Sequence, residues 1–150
     1  YPAWRKEGMH EGPGRILQQA TADPAAGAEI TAQTVPANAR WKVEAFQIQM
    51  AQGATQTPRV GIRFRDASDV VIAEAVTSAD VAASTTLNCL FALGIDSQAN
   101  NVTNGTLAAS LPDMILLPGF DVITNTEGIG ANSNYGVGQL RVREWITAEA

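Results

Sequence analysis

The sequence predicts an all-β domain, two antiparallel sheets packed face to face as a β-sandwich, with an extended N-terminal arm. Three observations carry this. Apolar and polar residues alternate with a period of two in several short runs, as strands with one buried face require. Trp41, Val43 and Ala45 alternate with Lys42 and Glu44, and Val60, Ile62 and Phe64 with Gly61, Arg63 and Arg65. Leu87, Cys89, Phe91 and Leu93 alternate with Asn88, Leu90 and Ala92, and Val137, Gln139 and Arg141 with Gly138, Leu140 and Val142. Turn-forming residues separate these runs. No segment keeps a helical period beyond about two turns.

Tyr1 to Gly14 has no periodicity, and Gly8, Gly12, Pro13 and Gly14 resist both helix and strand. It nevertheless contains Tyr1, Trp4 and Met9, which a fully solvated tail has little use for. Two readings stand: a disordered leader, or an arm that docks its aromatics on a neighbouring molecule. Residues 15 to 150 form one domain. Its first strand covers Arg15 to Ala20, and Asp23-Pro24 to Gly27 marks a turn. Glu29 to Val35 is the second strand, ended by Pro36. Arg40 to Ala51 is the strongest strand, and its alternation changes phase between Ala45 and Phe46, which calls for a β-bulge. Arg59 to Arg65 and Val70 to Val76 form a hairpin about Asp66 to Asp69. Thr77 to Ala83 reads as a loop or a short helix, and Ser84 to Leu93 as a strand. Gly94 to Asn104 is an exposed loop, and Leu107 to Leu117 is ambiguous. Pro118-Gly119 fits a type II turn. Phe120 to Thr126 and Val137 to Ile146 are strands around the loop Gly128 to Gly138. Roughly eight or nine strands in a chain this size hide their edges best as a jelly roll. An immunoglobulin-like sandwich lacks its Cys…Trp…Cys pattern here.

With 150 residues, the chain buries enough surface to fold without disulfide or metal. No run approaches the about 18 apolar residues of a membrane helix, no secretory signal pattern is visible, and no membrane association is expected. Ten Lys and Arg are scattered among fifteen Asp and Glu, for a net charge of -5. Nucleic-acid binding wants a basic patch, so none is expected.

Catalytic equipment is sparse. The one cysteine, Cys89, lies inside an apolar run and reads as a small buried hydrophobe. The one histidine, His10, lies in the leader, so a Cys/His or Ser/His pair must span arm and body. Metal sites built from His or paired Cys are excluded by supply. Asp96 to Asn101 offers oxygens for calcium but lacks the spacing of an EF-hand loop. No catalytic residue, metal or cofactor is expected. A hydrolase built on a carboxylate pair, such as Asp66 and Asp69 or Glu127 and Glu144, is an open alternative, although Asp66 and Asp69 fit a turn better.

Two sets of residues are candidates for binding. Arg141, Arg143 and Trp145 on the last strand, with Tyr1, Trp4, Arg5 and Met9 of the arm, would anchor a partner protein. Asn132, Asn134 and Tyr135 make a ligand loop of the kind that holds sugars, with Tyr135 plugging the sandwich end as its plainer role.

Three phrases carry a resemblance: Asp23-Pro24-Ala25-Ala26-Gly27-Ala28-Glu29-Ile30, Val35-Pro36-Ala37-Asn38-Ala39-Arg40-Trp41-Lys42-Val43, and Leu116-Leu117-Pro118-Gly119-Phe120 with Val142-Arg143-Glu144-Trp145-Ile146. Together they resemble jelly-roll cement or decoration proteins of tailed bacteriophage capsids, over roughly Ala20 to Ile146. The resemblance implies a non-enzymatic virion protein on the capsid exterior. It would clamp the major capsid protein as a homo-oligomer, dimer or trimer, around a local symmetry axis. The alternative is a receptor- or carbohydrate-binding module of a tail or fibre.

Overall fold

The computed structural model describes residues 12–96, 98–99 and 105–146. Among them are eleven strands: β1 (Arg15–Ala20), β2 (Gln33–Thr34), β3 (Ala39–Gln52), β4 (Gly61–Arg65), β5 (Val71–Val76), β6 (Thr86–Ala92), β7 (Gln98–Ala99), β8 (Thr106–Ser110), β9 (Asp121–Thr124), β10 (Ser133–Tyr135) and β11 (Gln139–Ile146). They form two sheets. One runs β1-β11-β3-β6-β8-β7, with β10 also on β3, and the other runs β2-β9-β4-β5.

The sheet order defines the fold. Set aside β7, β8 and β10, which extend or flank the larger sheet, and number the remaining strands one to eight. The sheets then read 1-8-3-6 and 2-7-4-5, so each of the first four strands crosses to the opposite sheet. This is the double Greek key of a jelly roll. The chain is therefore an all-β jelly-roll sandwich, as its alternation predicts. One pairing departs from the antiparallel expectation: β8 runs parallel to β6, Asn88 facing Thr106 and Ala92 facing Ser110.

The long strand β3 organises the larger sheet. Trp41, Val43, Phe46, Ile48 and Met50 are all buried, and both Glu44 and Ala45 turn away from the core. The phase change is a bulge against β11: Arg141 faces Ala45 and Val142 faces Val43, leaving Glu44 as the extra residue. Phe46 stacks on Phe91 of β6 with ring centroids 6.4 Å apart. Ile62, Phe64 and Val122 of the second sheet close the core.

Several elements differ from expectation for identifiable reasons. The second strand shrinks to Gln33–Thr34 because side chains take over its neighbours' bonding. Ile30 N–H donates to Thr124 Oγ1 (3.1 Å), and Glu29 accepts from Thr126 N–H (3.1 Å) and its hydroxyl (2.6 Å). The loop before β11 contains β10, which continues the pairing with β3 after a break at residues 136–138. The 118–119 turn forms as expected, closed by Phe120 N–H to Leu117 O at 3.0 Å.

Gly61 shows how tightly the second sheet is built. A Cβ there would lie 2.8 Å from the backbone oxygen of Asn125, which cannot yield without breaking the β4–β9 ladder. Gly61→Ala is expected to lower stability by roughly 1–3 kcal/mol, read as a lower urea midpoint at unchanged slope.

Candidate partner-binding face

The period of two sends alternate residues of β11 to opposite sides. Leu140, Val142 and Glu144 point inward and are buried, whereas Arg141, Arg143 and Trp145 point outward. The register places Lys42 beside Arg143 and Arg40 beside Trp145 on the same outer face. Four of the chain's ten Lys and Arg therefore gather on the outside of β3 and β11. The bulged Glu44 organises them: its carboxylate lies 3.2 Å from Arg143 Nε and 3.8 Å from Arg141 Nε. Lys42 reaches Asp113 at 2.9 Å. On an acidic chain this face gathers four cations around the carboxylates of Glu44 and Asp113.

The same face holds the root of the arm. Arg143 Nη1 donates to Pro13 O at 2.5 Å, and Trp145 Nε1 donates to Gly12 O at 3.1 Å. Gly14 makes this possible. Its φ is +64°, and a Cβ would meet Glu144 O and Trp145 Nε1, both at 2.9 Å. The chain thus folds back from β1 onto the outer face of β11. Arg143 and Trp145, expected to grip a partner, grip the chain's own residues 12 and 13; Arg141 has its side chain 53% exposed. Tyr1, Trp4, Arg5 and Met9 lie outside the described residues.

Directly beneath, Glu144 is 2% exposed. It accepts from Trp41 Nε1 (2.8 Å) and from Arg15 Nε (2.8 Å) and Nη2 (2.6 Å). This carboxylate ties the first strand, the third and the last together under the arm root. Its inward phase with Leu140 and Val142 is the signal that places it.

The ligand loop has a different geometry. Tyr135 is fully buried and its hydroxyl bonds to Thr126. Burial raises the phenol's pKa. Its ring plugs the sandwich and presents no face on which a sugar could stack. Asn132 donates to Thr55 Oγ1 (3.1 Å), and Asn134 is an exposed residue of β10 facing Ala51. The carboxylate pairs separate likewise. Asp66 Oδ1 accepts from the N–H groups of Ser68 (2.8 Å) and Val70 (3.0 Å), a turn-forming role. Asp69 lies 3.5 Å from Arg65, which is held mainly by Asp121 at 2.7 Å. Bonding to Asp121 raises the Arg65 pKa. The Glu127 backbone exchanges hydrogen bonds with that of Arg59 (2.9 and 3.0 Å), and its neighbour Thr126 bonds Tyr135 opposite Met50, whereas Glu144 faces Trp41 at the other end of β3. No cluster of three metal-ligating side chains occurs among the described residues, and residues 97, 100 and 101 of the 96–101 loop lie outside them. No helix among the described residues is long and apolar enough to cross a membrane.

Cys89 is buried on the inner face of β6, and burial pushes its thiol from 9.0 up to about 12. The folded chain is expected to resist thiol reagents at pH 8 and to react once in denaturant. Because the unfolded thiol ionises first, its contribution to stability is fully present below pH 9.0 and is lost as pH rises toward about 12.

No protein family and no curated protein sequence matches this chain. Solved structures similar to it include virus particle proteins. One is the protein of the T13 particle of infectious bursal disease virus, at 12% identity and TM-score 0.44. A second is VP2 in that virus's subviral particle, at 9% and 0.40. The chain is covered over 87% and 91% but spans only 31% and 33% of those proteins. The coat protein of tobacco streak virus is similar at 8% identity and TM-score 0.35, with 93% of this chain and 91% of that one covered.

Proposed function

We propose that this chain is a non-enzymatic structural protein of a tailed-phage virion, a cement or decoration protein. In this reading it binds the exterior of the major capsid lattice as a homo-oligomer, without nucleic acid, membrane or cofactor. The observation that carries it is the arm root. Gly12 and Pro13 are fastened to Trp145 and Arg143 on the outside of the jelly roll, beside the cationic face of β3 and β11. The preceding residues, with Tyr1, Trp4 and Met9, therefore start from a fixed point on that outer face. A fixed root reduces the entropy that an arm loses on docking. Repetition over a lattice multiplies modest contacts by avidity.

The test is deletion of Tyr1 to Glu11, which leaves the Gly12 and Pro13 contacts in place. Capsid occupancy at limiting protein is expected to fall by roughly a hundredfold or more. The thermal midpoint of the body should not change. Unchanged occupancy would refute the arm's role.

A further inference from the structure

The segment between β8 and β9 runs beside β3 where the β3–β6 pairing has ended. Trp41 and Leu116 exchange two backbone hydrogen bonds (3.0 and 2.7 Å), so residues 115–117 sit one strand spacing from β3. Leu116 turns inward and is buried. Ile115 and Leu117 on either side of it turn outward and are 37% and 41% exposed. They flank Lys42 and Arg40 on the outer face of the larger sheet, and Lys42 reaches Asp113 of the same segment. The outer face therefore ends in an apolar step beside the cations of β3.

We propose that Met9 to Glu11 lie as a strap across β3 of their own chain. Met9 seats on Ile115 and Leu117, and Glu11 lies beside Arg40 and Lys42.

Direction, length and chemistry select the chain's own arm as the occupant. Arg15 stands on β1 opposite Glu144, whereas Gly14, Pro13 and Gly12 lie against Trp145 and Arg143 on the outer side of β11. Followed backwards, the chain has stepped from β1 onto β11, and the next strand across is β3. From β11 over β3 to residues 115–117 is two strand spacings, about 10 Å. Residues 9 to 12 cover about 10 Å when extended. Met9 thus arrives at the apolar step, and Glu11 falls over β3. The unbranched thioether of Met9 suits a shallow apolar surface that offers no shaped pocket. Glu11 meets a face on which Arg40, Lys42, Arg141 and Arg143 outnumber Glu44 and Asp113. A strap with so few contacts opens at a lower temperature than the sandwich unfolds, so the body's thermal midpoint does not register it.

This position does not depend on the virion reading, and its test uses the free full chain with no capsid. Cys89 is buried, so two added cysteines can report the strap. Met9→Cys with Leu117→Cys should cross-link within one chain on mild oxidation of dilute protein. The control is Met9→Cys with Gln18→Cys, an exposed position on the same outer face, where β1 pairs with Arg141. Gln18 lies about 13 Å along β1 from Gly14, a comparable reach for the arm. The Leu117 pair should cross-link about tenfold faster than the Gln18 pair. A second measurement needs no cysteine. A glutamate-specific protease removes residues 1–11 by cutting after Glu11, and Leu117→Asp should speed that cut severalfold with unchanged circular dichroism. Equal cross-linking of the two pairs would overturn the proposal, because an arm without a preferred course reaches both. Cross-links between two chains, or a cutting rate indifferent to Leu117→Asp, would overturn it as well.

Discussion

Replacing Trp41 by alanine is expected to cost about 4 kcal/mol of folding free energy, the largest loss from any single substitution considered. Three effects combine. The indole is 2% exposed and fills the core between the sheets, so its removal leaves a cavity. Its Nε1–H is one of the donors to the buried carboxylate of Glu144, which loses that partner. Its backbone exchanges two hydrogen bonds with Leu116 (3.0 and 2.7 Å), so relaxation around the cavity reaches the segment leading to β9. For a domain of typical stability, about 5–15 kcal/mol, such a loss leaves little margin. Urea unfolding measures it. Trp41→Phe keeps most of the volume and loses only the hydrogen bond, so it should cost about 1–2 kcal/mol. Equal losses for the two variants would show that volume at this position matters little.

Replacing Glu144 by alanine is expected to cost about 2–3 kcal/mol and to loosen β1 first. Alanine strands the Trp41 N–H in the core and frees Arg15. The Arg15 side chain is 65% exposed and rehydrates readily, so its share is small. Glu144→Gln keeps an acceptor for Trp41 and should cost about 1 kcal/mol. Among the described residues β1 pairs only with β11 and lies at the edge of its sheet. Amide exchange of Ile16 to Gln19 should therefore rise before that of β3 or β6. The Trp41→Ala and Glu144→Ala losses should fall short of additive when combined, because each removes the same bond. Full additivity would mean that the carboxylate and the indole do not depend on each other.

Much of this architecture is legible in the chain because the core records itself as alternation. β1 occupies its expected residues, and β3 extends the expected strand by one residue at each end. The bulge is visible as a slip from the Trp41, Val43, Ala45 phase to the Phe46, Ile48, Met50 phase. The elements that escape a sequence reading are those whose bonding is decided by distant side chains. The stretch around Ile30 alternates like a strand, yet Thr124 and Glu29 divert its neighbourhood from the ladder. The parallel β6–β8 pair depends on a long connection whose return direction no local pattern encodes.

The outer face of β3 and β11 was partly legible. Arg141, Arg143 and Trp145 stand out as outward residues of the last strand, and they do face outward. What they hold depends on Gly14, whose value lies in its backbone conformation and in a contact 130 residues along the chain. Tyr135 misleads in the other direction. A tyrosine among asparagines looks like a sugar platform, but Ser133 and Tyr135 share the buried phase of a three-residue strand too short to announce itself.

In the proposed function this jelly roll acts by presenting the outer face of β3 and β11, with the arm rooted on it, to a capsid lattice. Under that function, cryo-electron microscopy of capsids from a tailed phage encoding the chain should show density for the sandwich on the exterior, with Arg141 and the arm turned toward the major capsid protein. Capsids that lack the protein, or a bound sandwich whose β3–β11 face looks out to solvent with the arm free, would contradict it.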